Sequence, residues 1–206
     1  MGYTVTFKTR KDSPYEKLPE YDQLWVLSSF KALVKDSSIS DIINVNDYKN
    51  IKSFIESGNG VYIAADNYPH LKEADYLLEK FMDSGISYVE SENSKMRILS
   101  QSSFSKNKLT AMEHELFTGL STMHEGHTVS RIEESSYLDV IAVGTRGNLI
   151  CLPKDHNQNV VYDSGYTKLY GGKEDPKFIR NLALYLSGYR REDIKRESTN
   201  YPESKN

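Results

Sequence analysis

Apolar and polar positions alternate between two periods along the chain, and that switching predicts its elements. The sharpest signal is Gly60-Val61-Tyr62-Ile63-Ala64-Ala65, a continuous apolar run that ends in Asp66-Asn67-Tyr68-Pro69-His70. Unbroken apolar character over a few β-prone residues marks a strand buried on both faces, as in parallel sheets covered by helices above and below. A helical stripe follows: Leu71, Ala74, Leu77, Leu78, Phe81 and Met82 fall on one face, and Gly85 is expected to stop it. Before the run, Ser40-Asp41 predicts the cap of a helix carrying Ile42, Ile43, Val45, Tyr48, Ile51, Phe54 and Ile55, with 44–46 as a possible break. Ser57-Gly58-Asn59-Gly60 reads as its C-terminal turn.

Tyr3 to Thr9 alternates strictly, the pattern of a half-buried strand. Lys11 to Glu20, with two prolines, predicts a loop, and Tyr21 to Ser29 a second strand. Short strands are expected at 86–89, 96–99 and 128–132, and a short helix or turn over 109–119. Tyr137 to Gly144 is a buried strand that turns at Thr145-Arg146-Gly147-Asn148 and pairs back through Leu149 to Leu152. A strand at Val160 to Asp163 precedes the polar run Asp163-Ser164-Gly165-Tyr166-Thr167-Lys168. The last helix starts near Asp175-Pro176 and carries Phe178, Ile179, Leu182, Ala183, Tyr185 and Leu186. Alternating strands and helices predict an α/β sheet, with one domain over 1–189 and a charged, aperiodic tail over 190–206.

Composition narrows the function classes. A net charge of -3 over 206 residues, with 27% charged positions of both signs, offers no basic footprint for nucleic acid. No run approaches the roughly 18 apolar residues that cross a bilayer, and the first residues lack the apolar core of a secretory signal. A cytoplasmic, soluble protein without membrane contact is expected. Cys151 is the sole cysteine, which excludes an internal disulfide and any multi-cysteine metal site.

The segments YDQLWVLSS, GNGVYIAADN, HELFTGL, MHEG and DSGYTKLY resemble glutamine-amidotransferase-like domains, the class I and trehalose-utilisation (ThuA-like) groups. The resemblance covers about Tyr3 to Ser187 and implies a three-layer α/β/α sandwich with a mostly parallel, flavodoxin-like sheet and a late β-hairpin. Related chains usually begin with one more strand ahead of the equivalent of Tyr3, so a domain cut from a longer chain or assembly, or a shortened sheet, is expected. Class I enzymes place a nucleophilic cysteine on a glycine-flanked turn after a strand. That turn would fall at Ala65-Asp66-Asn67, where no cysteine stands, and the resemblance therefore implies the fold while arguing against cysteine-based glutamine hydrolysis.

Ligands of such sheets sit beyond the carboxyl ends of strands. Ser28, Asp66, Asn67, His70, Glu125, Asp163 and Lys168 are therefore the candidate binding residues for a small polar ligand or a protein partner. Each has a plainer role: Asp66 or Asn67 as a helix cap, Asp163 as a local turn cap with Lys168 solvated. Ser28 and Ser29 lack any locatable base for serine catalysis. His124-Glu125-Gly126-His127 departs from the H-E-x-x-H zinc spacing, and on a strand residues three apart face opposite ways. Even with His114 as a third ligand, a hydrogen-bonded loop histidine is the simpler reading, and neither a metal nor a cofactor is expected. The leading expectation is a non-catalytic binding module. The alternative is a hydrolase or isomerase of sugar-like substrates in which Asp66, His124 or His127 supplies acid–base chemistry.

Overall fold

The computed structural model describes residues 3–9, 12–28, 43–66, 70–87, 98–100, 114–120, 122–124, 129–144, 147–155, 158–169, 175–190 and 193–194; at 98–100, 122, 124 and 175 the backbone alone is described. Nine strands and three α-helices are described: β1 (Gln23–Leu27), α1 (Val45–Glu56), β2 (Gly60–Ala64), α2 (Lys72–Met82), β3 (Ile86–Ser87), β4 (Ile98–Ser100), β5 (Thr122–His124), β6 (Arg131–Ile132), β7 (Leu138–Gly144), β8 (Gly147–Pro153), β9 (Val160–Asp163) and α3 (Asp175–Leu186).

Seven strands form one open sheet in the order β1-β2-β9-β8-β6-β3, with β7 also on β8, while β4 and β5 pair separately. β1, β2 and β9 are mutually parallel. β6 and β7 share their direction, and β3 and β8 run against it. The sheet is thus the mixed, mostly parallel α/β sheet that the sequence implied, and β7–β8 is its late hairpin. β2 lies inside it, hydrogen-bonded to β1 on one side and β9 on the other.

Strand alternation sorts the side chains into two cores. Val61, Ile63 and Ala65 point to a core shared with Ile51, Phe54 and Ile55 of α1 and Leu77 and Leu78 of α2. Tyr62 and Ala64 point the other way, toward Phe178, Leu182 and Leu186 of α3 and toward Leu116 and Phe117. All five residues of β2 are buried, which is why the run reads as apolar throughout rather than alternating. Fully burying Val61 or Ile63 stabilises by about 1.5–3 kcal/mol each. Gly60 admits α3: a Cβ there would lie 2.2 Å from the carbonyl oxygen of Leu186, so the helix rests directly on the strand's first residue.

Several boundaries differ from the sequence reading. α1 starts at Val45 because Asn44 and Asp47 form a reciprocal capping box, with Asn44 Oδ1 accepting from the amides of Asn46 (2.8 Å) and Asp47 (3.0 Å). The expected Ser40-Asp41 cap lies outside the described residues, and 44–46 is a helix start rather than a break. α2 ends on Asp83, which takes a left-handed φ of 47°, two residues before Gly85. The helix expected over 109–119 is described as a single 3-10 turn at Glu115–Phe117. The expected loop before β1 holds another, Leu18–Glu20, with Leu18 buried. Tyr3 to Thr9 is not a half-buried strand: every residue of 3–9 is exposed, and none joins a ladder among the described residues.

Candidate functional site

The parallel strands β1, β2 and β9 end together at Ser28, Asp66 and Asp163, so the sequence-derived candidates on these strands do meet at one edge of the sheet. Backbone bonds fix the meeting. Ser28 N–H donates to Ala64 O (2.9 Å), Ala65 N–H to Asp163 O (2.8 Å) and Tyr166 N–H to Ala65 O (2.9 Å). Ser130, ahead of β6, ties the neighbouring ends: its hydroxyl donates to Asp66 O (2.6 Å) and its amide to Ser164 O (2.9 Å).

Ser28 is buried, and its hydroxyl oxygen accepts the amide of Ala74 at 3.0 Å. Ala74 lies in the first turn of α2, where amides lack helical partners. The N-cap position of α2 is Leu71, which makes no side-chain cap. A serine from the neighbouring strand therefore does part of the work expected of Asp66 or Asn67 on the helix that follows β2. Asp66 is 1% exposed, and its amide donates to His70 O at 2.6 Å, closing the turn between β2 and α2. His70 is half-buried. Asn67 lies outside the described residues.

Asp163 and Lys168 correct the reading of a solvated lysine. Lys168 is 1% exposed; its ammonium pairs with Asp163 Oδ1 and donates to Gly165 O at 2.6 Å. The amide of Gly165 also donates to Asp163 Oδ1 (2.9 Å), the local turn expected from Asp163-Ser164-Gly165. Tyr62, from the centre of β2, donates its hydroxyl to Asp163 Oδ2 at 2.7 Å. Three donors thus converge on one buried carboxylate, which is how a charge is tolerated in an interior of low polarity. Lys168 could not be paired with Asp163 from spacing alone, and Tyr62 gave no polar signal because it sits in an apolar run.

Of the second group of candidates, only the backbone of His124 is described. His124 ends β5, opposite Ile98 in the separate β4–β5 ladder. Glu125 and His127 lie outside the described residues. His114 is engaged locally: its Nδ1 accepts from Leu116 N–H (3.3 Å), its Nε2 lies 3.6 Å from Glu115, and its ring packs 5.5 Å from that of Tyr185. Among the described residues no group of three or more His, Cys, Asp or Glu side chains is arranged to hold a metal ion.

Cys151 is fully buried in β8, opposite Tyr162 of β9. Burial, reinforced by the charges of Asp163 and Asp139, pushes its thiol well above the ordinary range, so the thiolate needed for nucleophilic attack is suppressed. Neither Ala65 nor Asp66 has a positive φ; among the described residues, the positive φ values of non-glycine residues fall at Ser13 and Asp83. Two concavities among the described residues lie elsewhere. One is acidic, lined by Asp75, Glu79, Asp83 and Glu133. The other sits at the opposite end of β2, between Gly60, Asp22 and Leu186.

Comparison with solved structures settles the architecture. A ThuA-like protein from Bacteroides uniformis superposes with a TM-score of 0.52 at 10% identity, covering 86% of this chain and 74% of that one. The two chains share a fold. The same fold occurs in a structure described as the mmIFT52 N-terminal domain, with a TM-score of 0.55 at 10% identity over 84% of this chain and 80% of the other. It occurs again in the cytoplasmic protein STM3548 from Salmonella typhimurium, with a TM-score of 0.50 at 12% identity over 85% and 74%. No protein-family model matches the sequence, and no curated protein sequence does. No described helix is long and apolar enough to cross a membrane.

Proposed function

We propose that this chain is a non-catalytic, amidotransferase-like module that engages a protein partner or a small polar ligand at the carboxyl edge of its sheet. One observation carries the reading: Ser28, Asp163 and Lys168 at that edge are committed to holding the fold together. Ser28 Oγ serves α2, and Asp163 and Lys168 serve each other, Tyr62 and Gly165. A catalytic centre needs groups free to exchange protons with a substrate. Here the lysine and the serine hydroxyl are internal struts, and the one thiol is buried and held protonated. Recognition then falls to the loops leaving this edge, after β2 and after β9.

Thermal-shift measurements against a panel of sugars, polar metabolites and divalent cations, on wild type and Asp66→Ala, test the reading. Expected is no turnover and no stabilisation by a ligand that depends on an acid–base pair. Conversion of a sugar-like substrate, lost in Asp66→Ala, would instead establish the hydrolase or isomerase reading with Asp66, His124 or His127.

A further inference from the structure

The two loose ends of the β architecture match each other. β1 is the last strand on its side of the sheet among the described residues, yet its sequence, Gln23-Leu24-Trp25-Val26-Leu27, has the composition of an interior strand. Natural edge strands are blunted by charge, proline or a bulge, because open N–H and C=O groups recruit other chains. β1 carries none of these, and Leu27 is 38% exposed. The amide of Ser28 points inward, to Ala64 O, so the backbone of Leu27 faces away from β2. The same chain holds a segment with a strand's alternation that joins no ladder among the described residues: Tyr3, Val5 and Phe7 alternate with Thr4, Thr6 and Lys8, and these three apolar residues are 50%, 68% and 90% exposed. Alternating β-prone residues left this exposed are out of keeping with an isolated monomer.

We infer that residues 3–9 of one copy add to the open edge of β1 in a second copy, and that reciprocal exchange makes a homodimer. Main-chain hydrogen bonds supply the affinity, and Tyr3, Val5 and Phe7 on one face of the added strand supply the apolar burial. Exchange of this kind is isologous and closes at two subunits. The inference is independent of the proposed function, which concerns the carboxyl edge of the sheet.

Sedimentation equilibrium over a concentration series tests it with two variants. Leu27→Pro removes the outward-facing donor of the edge; Val5→Lys/Phe7→Lys leaves the edge intact and spoils the strand. The wild type is expected to dimerise, and each variant to weaken the dimer by about tenfold or more. Far-ultraviolet circular dichroism of the separated monomers should stay that of the folded chain. Val5→Lys/Phe7→Lys alters only exposed positions, so it keeps the test valid if Leu27→Pro misfolds. A wild type that is monomeric throughout overturns the inference, as does a dimer that withstands Val5→Lys/Phe7→Lys.

Discussion

Replacing Lys168 by methionine removes the ammonium while keeping most of the side-chain volume. It leaves Asp163 buried with the hydroxyl of Tyr62 and the amide of Gly165 as its remaining described donors, and Gly165 O with the longer bond from the amide of residue 168 at 3.4 Å. Breaking a buried pair by removing one partner costs about 3–5 kcal/mol, since the remaining charge is uncompensated. Against a total stability of about 5–15 kcal/mol this is a large share. For a chain of this length each kcal/mol lowers the melting temperature by about 2–4 °C, so the variant should melt about 6–20 °C below wild type. Urea unfolding followed by circular dichroism should show the midpoint falling with an unchanged slope. The double variant Asp163→Asn/Lys168→Met should lose less than the sum of its single variants, because no unpaired charge remains. A loss below about 1 kcal/mol for Lys168→Met, the size of an exposed pair, would refute the reasoning and free Lys168 for a ligand.

Other expectations follow from the same packing. Gly60→Ala should destabilise by roughly 1–3 kcal/mol or more through overpacking, because the new methyl would meet Leu186 O at 2.2 Å; unchanged urea stability would show that α3 is not seated on β2. Cys151 should resist a thiol reagent in the native protein and react fully once unfolded; fast labelling of the native state would contradict the buried thiol. The Asp75 carboxyl is raised by burial first and by Glu79 and Glu133, against the stabilising amide of Ile86 at 2.7 Å. A raised folded-state value means that its stabilising contribution is present at low pH and lost as pH rises through that value. Asp75→Asn, which keeps an oxygen for Ile86 N–H, should therefore gain stability at neutral pH and flatten this part of the pH dependence. Melting curves across pH 4–8 check the sign, and a loss at neutral pH would reverse it.

How much of this was legible depended on the range of the forces. β2, the β7–β8 hairpin and α3 announced themselves through local apolar patterns, and their positions follow the sequence closely. The start of α1 was misplaced because an Asn-x-x-Asp capping box stands inside an apolar stripe that continues upstream to Ile42. Tyr3 to Thr9 carries a strand's pattern, but a pattern cannot say where its partner edge lies. At the site, the turn at Asp163-Ser164-Gly165 could be read, whereas the use of Lys168, Tyr62 and Ser28 could not. Their partners come from other strands or from the far end of a turn, and topology alone brings them together. Ser130 gave no signal, since a serine that ties two strand ends looks like any loop serine.

Turnover of glutamine and of chromogenic glycosides by the purified chain, wild type beside Asp66→Asn, tests the central claim most directly. A non-catalytic module predicts ammonia and chromophore release at the buffer rate for both proteins. Release above that rate by the wild type, abolished in Asp66→Asn, would contradict it.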